Sequence, residues 1–159
     1  MLVATFDIGT TAVKAVAVRD DGEPVFTGSQ VIHTKNGFKE QDPEEWYSAF
    51  CTLSHALTGK IPAQEISALI FSGQMQDVIP VGSDRRALGN AILYSDGRAG
   101  AQAETIENAM GGDTITAITG NHFDGSMPLA KILWLKENEP EIYTQTTAFL
   151  INASKYDLV

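Results

Sequence analysis

"LVATFDIGTTAVKAVAVRDDGEPVFTGSQVI" runs from Leu2 to Ile32, and its reading decides the fold. Residues 2–7 form an apolar run closed by Asp7, which reads as a strand. Residues 12–19 (AVKAVAVR) alternate small and branched side chains and read as a second strand. The turn DDGE at 20–23 carries Asp-Gly, a strong short-range hairpin signal, and PVFTGSQVI at 24–32 supplies a third strand. Three consecutive strands with short turns predict an antiparallel meander.

After Ile32 the period changes. DPEE at 42–45 is a helix start, with Asp42 as N-cap, Pro43 at the first helical position and Glu45 three residues after the cap. Trp46, Phe50, Leu53 and Leu57 then recur at helical spacing, and Gly59 ends the helix. ISALIFSG at 66–73 suits a buried strand, and DVIPVGSDRRALGNAILYS suits a hairpin around SDRR. Residues 97–110 are Ala-rich and helical. Ser126 is placed to cap a helix through LAKILWLKEN that Pro140 stops, and TTAFLIN at 146–152 closes as a strand. Three antiparallel strands followed by α/β crossovers predict an α/β protein built on a mixed sheet with helices on its faces. KYDLV at 155–159, with neither a C-cap nor a polar tail, reads as an interrupted domain.

The bulk numbers narrow the partners. The 159 residues fit one domain, and 43% apolar content suffices for one core. Twenty acidic residues against 11 basic ones give a net charge of −9, which disfavours nucleic acid. Cys51 has no second cysteine to pair with, which suits a reducing compartment, and its place in the helix pattern predicts a packing thiol. MLVATFDIGTT has no signal or transit character, and no run reaches the length of a membrane span, so a soluble cytoplasmic location is expected. His33, His55 and His122 lack metal-ligand spacing. Trp46 and Trp134 read as core residues, and Lys131 and Lys136 as solvated helix lysines.

DIGTT at 7–11 has chemistry of its own. A carboxylate at a strand end, such as Asp7, can order a hydrated Mg²⁺, which needs only one or two carboxylates. Gly9 permits close backbone approach, and the amides and hydroxyls around Gly9, Thr10 and Thr11 can converge on an anion. Lys14, on the next strand, adds a positive charge. Together they can hold the β- and γ-phosphates of a nucleotide, although the Gly-Lys-Ser/Thr run of a P-loop is absent. The plainer alternative is a surface hairpin with a turn-forming Asp and a solvated Lys.

The DIGTT-x-x-K hairpin resembles the first phosphate motif of the actin-like ATPase superfamily. Four further stretches resemble the FGGY carbohydrate kinases within it, and their xylulokinase branch most closely. These are GFKEQDPEEWY (37–47), SGQM (72–75), NAILYSDGR (90–98) and TGN…MPLAKILWLKENEPEIY (119–143), in the family's order and spacing. The resemblance implies a ribonuclease H-like fold, with residues 1–159 forming the first part of the sugar-side domain. It also implies a nucleotide domain and a general-base Asp that lie further along in longer family members, so the fragment alone is expected to be inactive. The implied reaction is transfer of the γ-phosphoryl of ATP, with Mg²⁺, to a sugar hydroxyl. Asp7 would order the metal through water, and Gly9, Thr10, Thr11 and Lys14 would serve the phosphates. Gln74, Met75, Gln76 and Asp77 would approach the sugar. The family reads Gly-Gln-Met-His-Gly there, so Gln76 stands for a sugar-contacting His and Asp77, a fixed acceptor, for a Gly. LYSDGR resembles Trp-x-Asp-x-Arg with Tyr94 for Trp, which brings Asp96 and Arg98 towards the sugar, although Asp96 could equally cap the helix after it and Arg98 make a structural ion pair. A ribonuclease H-like nuclease would need further strand carboxylates that are absent, while a non-catalytic sugar- or protein-binding module is the alternative.

Overall fold

A computed structural model of the chain describes residues 1–37 and 39–152; Phe38 and the KYDLV end lie outside the described residues. In chain order the elements are β1 (Leu2–Ile8), β2 (Ala12–Arg19), β3 (Pro24–Val31), β4 (Thr34–Lys35), β5 (Glu40–Gln41), α1 (Pro43–Thr58), β6 (Ala68–Gly73), β7 (Met75–Val81) and β8 (Ala91–Ile92), then α2 (Gly100–Met110), α3 (Gly112–Thr119), α4 (Pro128–Asn138), α5 (Pro140–Gln145) and β9 (Ala148–Asn152). They divide into two compact units. One holds Met1–Thr34 and Asp42–Gln74; the other holds Lys35–Gln41 and Met75–Ile151.

The first unit is the expected meander with an α/β crossover added. Its sheet has the order β3-β2-β1-β6, with β1 antiparallel to β2 and parallel to β6. Gly22, at φ 86°, closes the β2–β3 turn. Alternation along β1 and β2 buries Ala4, Phe6, Ile8, Val13, Ala15 and Ala17, as a period of two requires. The helix α1 packs on the sheet with Trp46, Leu53 and Leu57 buried, each contributing about 1.5–3 kcal/mol of hydrophobic stabilisation. Phe6 and Phe50 meet edge-on, with ring centroids 4.8 Å apart.

Asp42 caps α1 as expected, its carboxylate accepting from the Glu44 amide, and Glu45 accepts from the His33 backbone N–H at 3.0 Å. Local chemistry differs from expectation in two places here. Cys51 is only half-buried, beside rather than on the packed stripe. β6 forms, but it is not a buried strand: it is an edge of its sheet among the described residues, and Leu69 and Ile70 are more than half exposed.

The second unit carries the sheet β4-β5-β8-β7-β9. The hairpin expected around SDRR is present: β7 and β8 are antiparallel, with Val78 opposite Ile92, and Gly82 donates to the Arg86 carbonyl at the turn. Val78, Ile92 and Leu135 form one apolar cluster; Ala99, Ala103, Ile115, Phe123 and Ala130 form another. Trp134 packs against both. Three details change. The Ala-rich helix begins at Gly100 rather than 97, so Asp96 is not its cap. Ser126 does not cap α4, which begins at Pro128 with Met127 as an N-cap that makes no side-chain bond; the Ser126 amide donates to Asp124 Oδ1 at 2.7 Å. Pro140 ends α4 and also begins α5, consistent with the freedom of proline at a first helical position.

Candidate functional site

In the first unit the register builds a polar row across the sheet. Asp7 lies opposite Lys14 on β2, Lys14 lies opposite Ser29 on β3, and Asp7 lies opposite Ser72 on β6. Asp7, Lys14, Ser29 and Ser72 are all exposed. They alternate with the buried face, so one sheet turns its apolar side to α1 and places this row on the other side. The Ser72 hydroxyl donates to Asp7 Oδ1 at 2.7 Å, fixing one carboxylate oxygen.

The turn beyond Asp7 is tight. The Gly9 amide donates to the Ala12 carbonyl at 3.2 Å, and the Thr10 hydroxyl donates to Gln74 Oε1 at 3.4 Å. A Cβ on Gly9 would sit 3.2 Å from the Ala12 carbonyl oxygen and 3.6 Å from Asp7 Oδ2. Glycine therefore keeps open the space beside the second oxygen of Asp7. Hard oxygen donors with room beside them suit Mg²⁺ held mainly through its own water, for which a single carboxylate is enough. No cluster of three or more His, Cys, Asp or Glu side chains suited to a metal occurs among the described residues. Asp7, Gly9, Thr10, Thr11, Lys14 and Gln74 thus belong to one end of one sheet.

In the second unit the predicted residues gather around a buried lysine. Met75 and Gln76 are exposed at the start of β7, and Gln76 has φ 62°. That left-handed conformation costs a residue other than Gly about 1–2 kcal/mol. Asp77 is not at the surface: it is fully buried, with Oδ1 accepting from the Tyr94 amide at 2.9 Å and Oδ2 without a hydrogen-bond partner among the described residues. The expected fixed acceptor for a sugar is therefore turned inward. Lys131, expected on a solvated face, is also fully buried. Its Nζ donates to the Leu93 carbonyl at 2.7 Å and to the Gln76 carbonyl at 3.1 Å. Hydrogen bonds from a charged donor are worth about 1.5–3 kcal/mol each, enough to hold Gln76 in its strained conformation. Lys136 is exposed, as expected.

Burial sets the protonation of this pair. It pushes the Asp77 carboxyl up to about 7, against the pull of the Tyr94 amide and the Lys131 charge. It brings the Lys131 ammonium down to about 8, against the pull of Asp77 and Asp96.

Arg98 is held from three sides. Its Nε and Nη2 donate to Asp96 Oδ2 at 2.9 and 2.6 Å, its Nη2 also to Glu40 Oε1 at 2.6 Å, and its guanidinium lies 4.9 Å from the Trp134 ring centroid. Burial by itself raises the Asp96 and Glu40 carboxyls; hydrogen bonds to both, together with the Arg98 charge, more than offset it and hold them below the usual range. The Arg98 amide closes a turn onto Asp96 Oδ1 at 2.8 Å. The ion pair foreseen for Asp96 and Arg98 thus exists, and Glu40 is a third member that sequence reasoning missed, being 58 residues away from Arg98. A cavity of about 140 Å³ beside Arg98, lined also by Glu40, Asn90 and Glu139, includes none of the other predicted sugar residues.

The FGGY family of carbohydrate kinases, N-terminal domain, matches residues 2–156. Xylulose kinase from Bacillus subtilis is 34% identical over 154 residues, which cover 94% of this chain and 31% of that protein. Among solved structures, a ligand-bound xylulose kinase from Lactobacillus acidophilus superposes with a TM-score of 0.86 at 30% identity, over 99% of this chain and 32% of the other. Gluconate kinase from the same organism superposes with a TM-score of 0.84 at 30% identity, over 99% and 33%. The chain therefore spans about a third of the length of these relatives. Its mixed sheet and crossover are the ribonuclease H-like architecture of actin-like ATPases. No helix among the described residues is long and apolar enough to cross a membrane. The five motifs, the fold and the match over residues 2–156 agree, and the chain belongs to the FGGY family of carbohydrate kinases through that family's N-terminal domain.

Proposed function

We propose that residues 1–159 are the sugar-side part of an ATP-dependent carbohydrate kinase, working with Mg²⁺ in the cytoplasm as a section of a longer chain. The observation that supports this best is Asp7 at the end of β1, with one oxygen held by Ser72 and the other beside the space that Gly9 leaves open. Phosphoryl transfer is mostly positioning and charge neutralisation, so a rigid carboxylate and a cradle of amides suit its demands. Bound Mg²⁺ would neutralise charge on the β- and γ-phosphates. In this reading Asp7 orients the waters of the metal. The amides of Gly9, Thr10 and Thr11 donate to phosphate oxygens, and Lys14, opposite Asp7 in the ladder, adds positive charge.

The acceptor is a ketose, a polyol or a sugar acid. Relatives named for xylulose and for gluconate bracket that range. Gln76 and Met75 approach the acceptor, and Asp96 and Arg98 stand nearby as an ion-paired wall. Asp77 serves the sugar through the backbone it holds. Residues 1–159 alone turn over no ATP, because a general base and an adenosine site lie outside them.

The test is ADP release by the full protein that carries this segment, measured across ketoses, polyols and sugar acids, with Asp7→Ala alongside. Sugar-dependent release that Asp7→Ala abolishes supports the reading. Unchanged release in Asp7→Ala removes Asp7 from it. Sugar binding with no release by any sugar supports a binding module instead.

A further inference from the structure

Lys131 is out of place by cost. An ammonium taken fully out of water pays a large desolvation penalty, and an apolar side chain of similar length is often neutral or stabilising in such a place. Its helix offers that option, since Ala130 and Leu135 on α4 are buried too. What the lysine has that an apolar residue lacks is three donors, and two of its acceptors are informative. One is the carbonyl of Gln76, a residue in the left-handed conformation. The other is the carbonyl of Leu93, which also accepts from the Asp96 amide at 3.0 Å and so anchors the turn leading to Asp96 and Arg98. Asp77 ties the same two segments together a second time, through the Tyr94 amide.

We propose that Lys131 is a positioning residue for the sugar: through the Gln76 and Leu93 carbonyls it sets the backbone angle at which Gln76 presents its side chain and fixes that residue against the Asp96–Arg98 turn. Lys131 reaches the acceptor through backbone rather than by contact. The inference rests on the sugar-kinase reading above and deepens it, by making sugar recognition depend on a buried side chain of α4.

The experiment uses the full protein with Lys131→Met, which keeps most of the apolar stem and removes the donors, and Lys131→Gln, which restores an amide donor; both side chains end one bond short of the lysine nitrogen. Steady-state KM for sugar, KM for ATP and kcat are measured with the melting temperature of each variant. The expected result for Lys131→Met is a rise of about tenfold or more in KM for sugar with KM for ATP unchanged, partly recovered in Lys131→Gln, as loss of sugar binding alone requires. A folded Lys131→Met with unchanged KM for sugar, or with both KM values moving together, overturns the inference while leaving the kinase reading intact. A wild-type protein that binds no sugar and releases no ADP overturns the kinase reading and this inference with it. Should neither variant fold, the wild-type protein labelled at its lysine nitrogens decides the matter. Its Lys131 ammonium resonance should shift on saturation with sugar and not with an ATP analogue, and a resonance indifferent to sugar overturns the inference.

Discussion

Asp7 and Lys14 face each other across the β1–β2 ladder, and both are exposed on the side of the sheet opposite α1. A hairpin that needed only stability would gain little from two exposed charges in register, because even exposed groups close enough to form an ion pair contribute only about 0–1 kcal/mol. For the kinase reading, Asp7→Ala should therefore separate activity from stability. Loss of the metal-ordering carboxylate is expected to lower kcat by about 100-fold or more. Loss of the Ser72 bond should cost only about 0.5–1.5 kcal/mol. Stopped-assay kinetics with parallel thermal melts check both; a variant that loses activity only by unfolding would refute the assignment.

Asp77 predicts an unusual pH dependence. Its carboxyl is raised from the usual 3.8 to about 7 by burial. Between these values the folded chain holds a proton that the unfolded chain has released. Stability from this group is thus full below about pH 4 and is lost as pH rises to 7, at no more than about 1.4 kcal/mol per pH unit. Lys131 has the opposite sign at higher pH. Brought down from 10.5 to about 8, it makes the unfolded chain the better proton binder, so its contribution recovers between pH 8 and 10.5. The charged groups acting on the pair are Asp96, Arg98 and Asp124. The stability difference between wild type and Asp77→Asn, measured by urea unfolding, should fall from pH 5 to pH 7.5. A constant difference across that range would contradict the assignment.

Gly125 is a steric keystone of the second unit. A Cβ there would lie 2.5 Å from the Gly100 nitrogen and 2.7 Å from the Gly97 carbonyl oxygen, both of them backbone atoms. Gly125→Ala must displace the segment that holds Arg98, at a cost of about 1–3 kcal/mol, as overpacking does. A lower melting temperature together with a raised KM for sugar is expected, and an unchanged protein would show that the loop yields freely.

Gln76 sits at φ 62° without the freedom of glycine. Gln76→Gly relieves the steric cost but makes the unfolded chain more flexible, so a net gain of only about 0.5–1 kcal/mol is expected. In the proposed function the same change also removes the side chain that reads the sugar. Specificity constants across the sugar panel should converge in Gln76→Gly and change order in Gln76→His. An unchanged order in both variants would show that Gln76 has no part in sugar choice.

Much of this was legible along the chain. The strands at 2–8, 12–19 and 24–31 follow from alternation and an Asp-Gly turn, and α1 follows from a cap, a proline and a helical apolar stripe. All of these are local signals, complete within a few residues. α3 and α5 went unseen because, at eight and six residues, each is too short to display a helical period.

The site divides along the same line. Sequence determined that Asp7, Gly9 and the threonines share a turn, because they are neighbours on one backbone. Only the tertiary structure decided that Ser72 grips Asp7, that Glu40 completes the Arg98 ion pair, and that Lys131 and Asp77 are buried together. The hydrogen bonds Ser72–Asp7, Arg98–Glu40 and Lys131–Gln76 join residues 55 to 65 positions apart, and the burial of a charge depends on what the rest of the fold places around it. A lysine on a helix reads as solvated until the carbonyls that receive it are known.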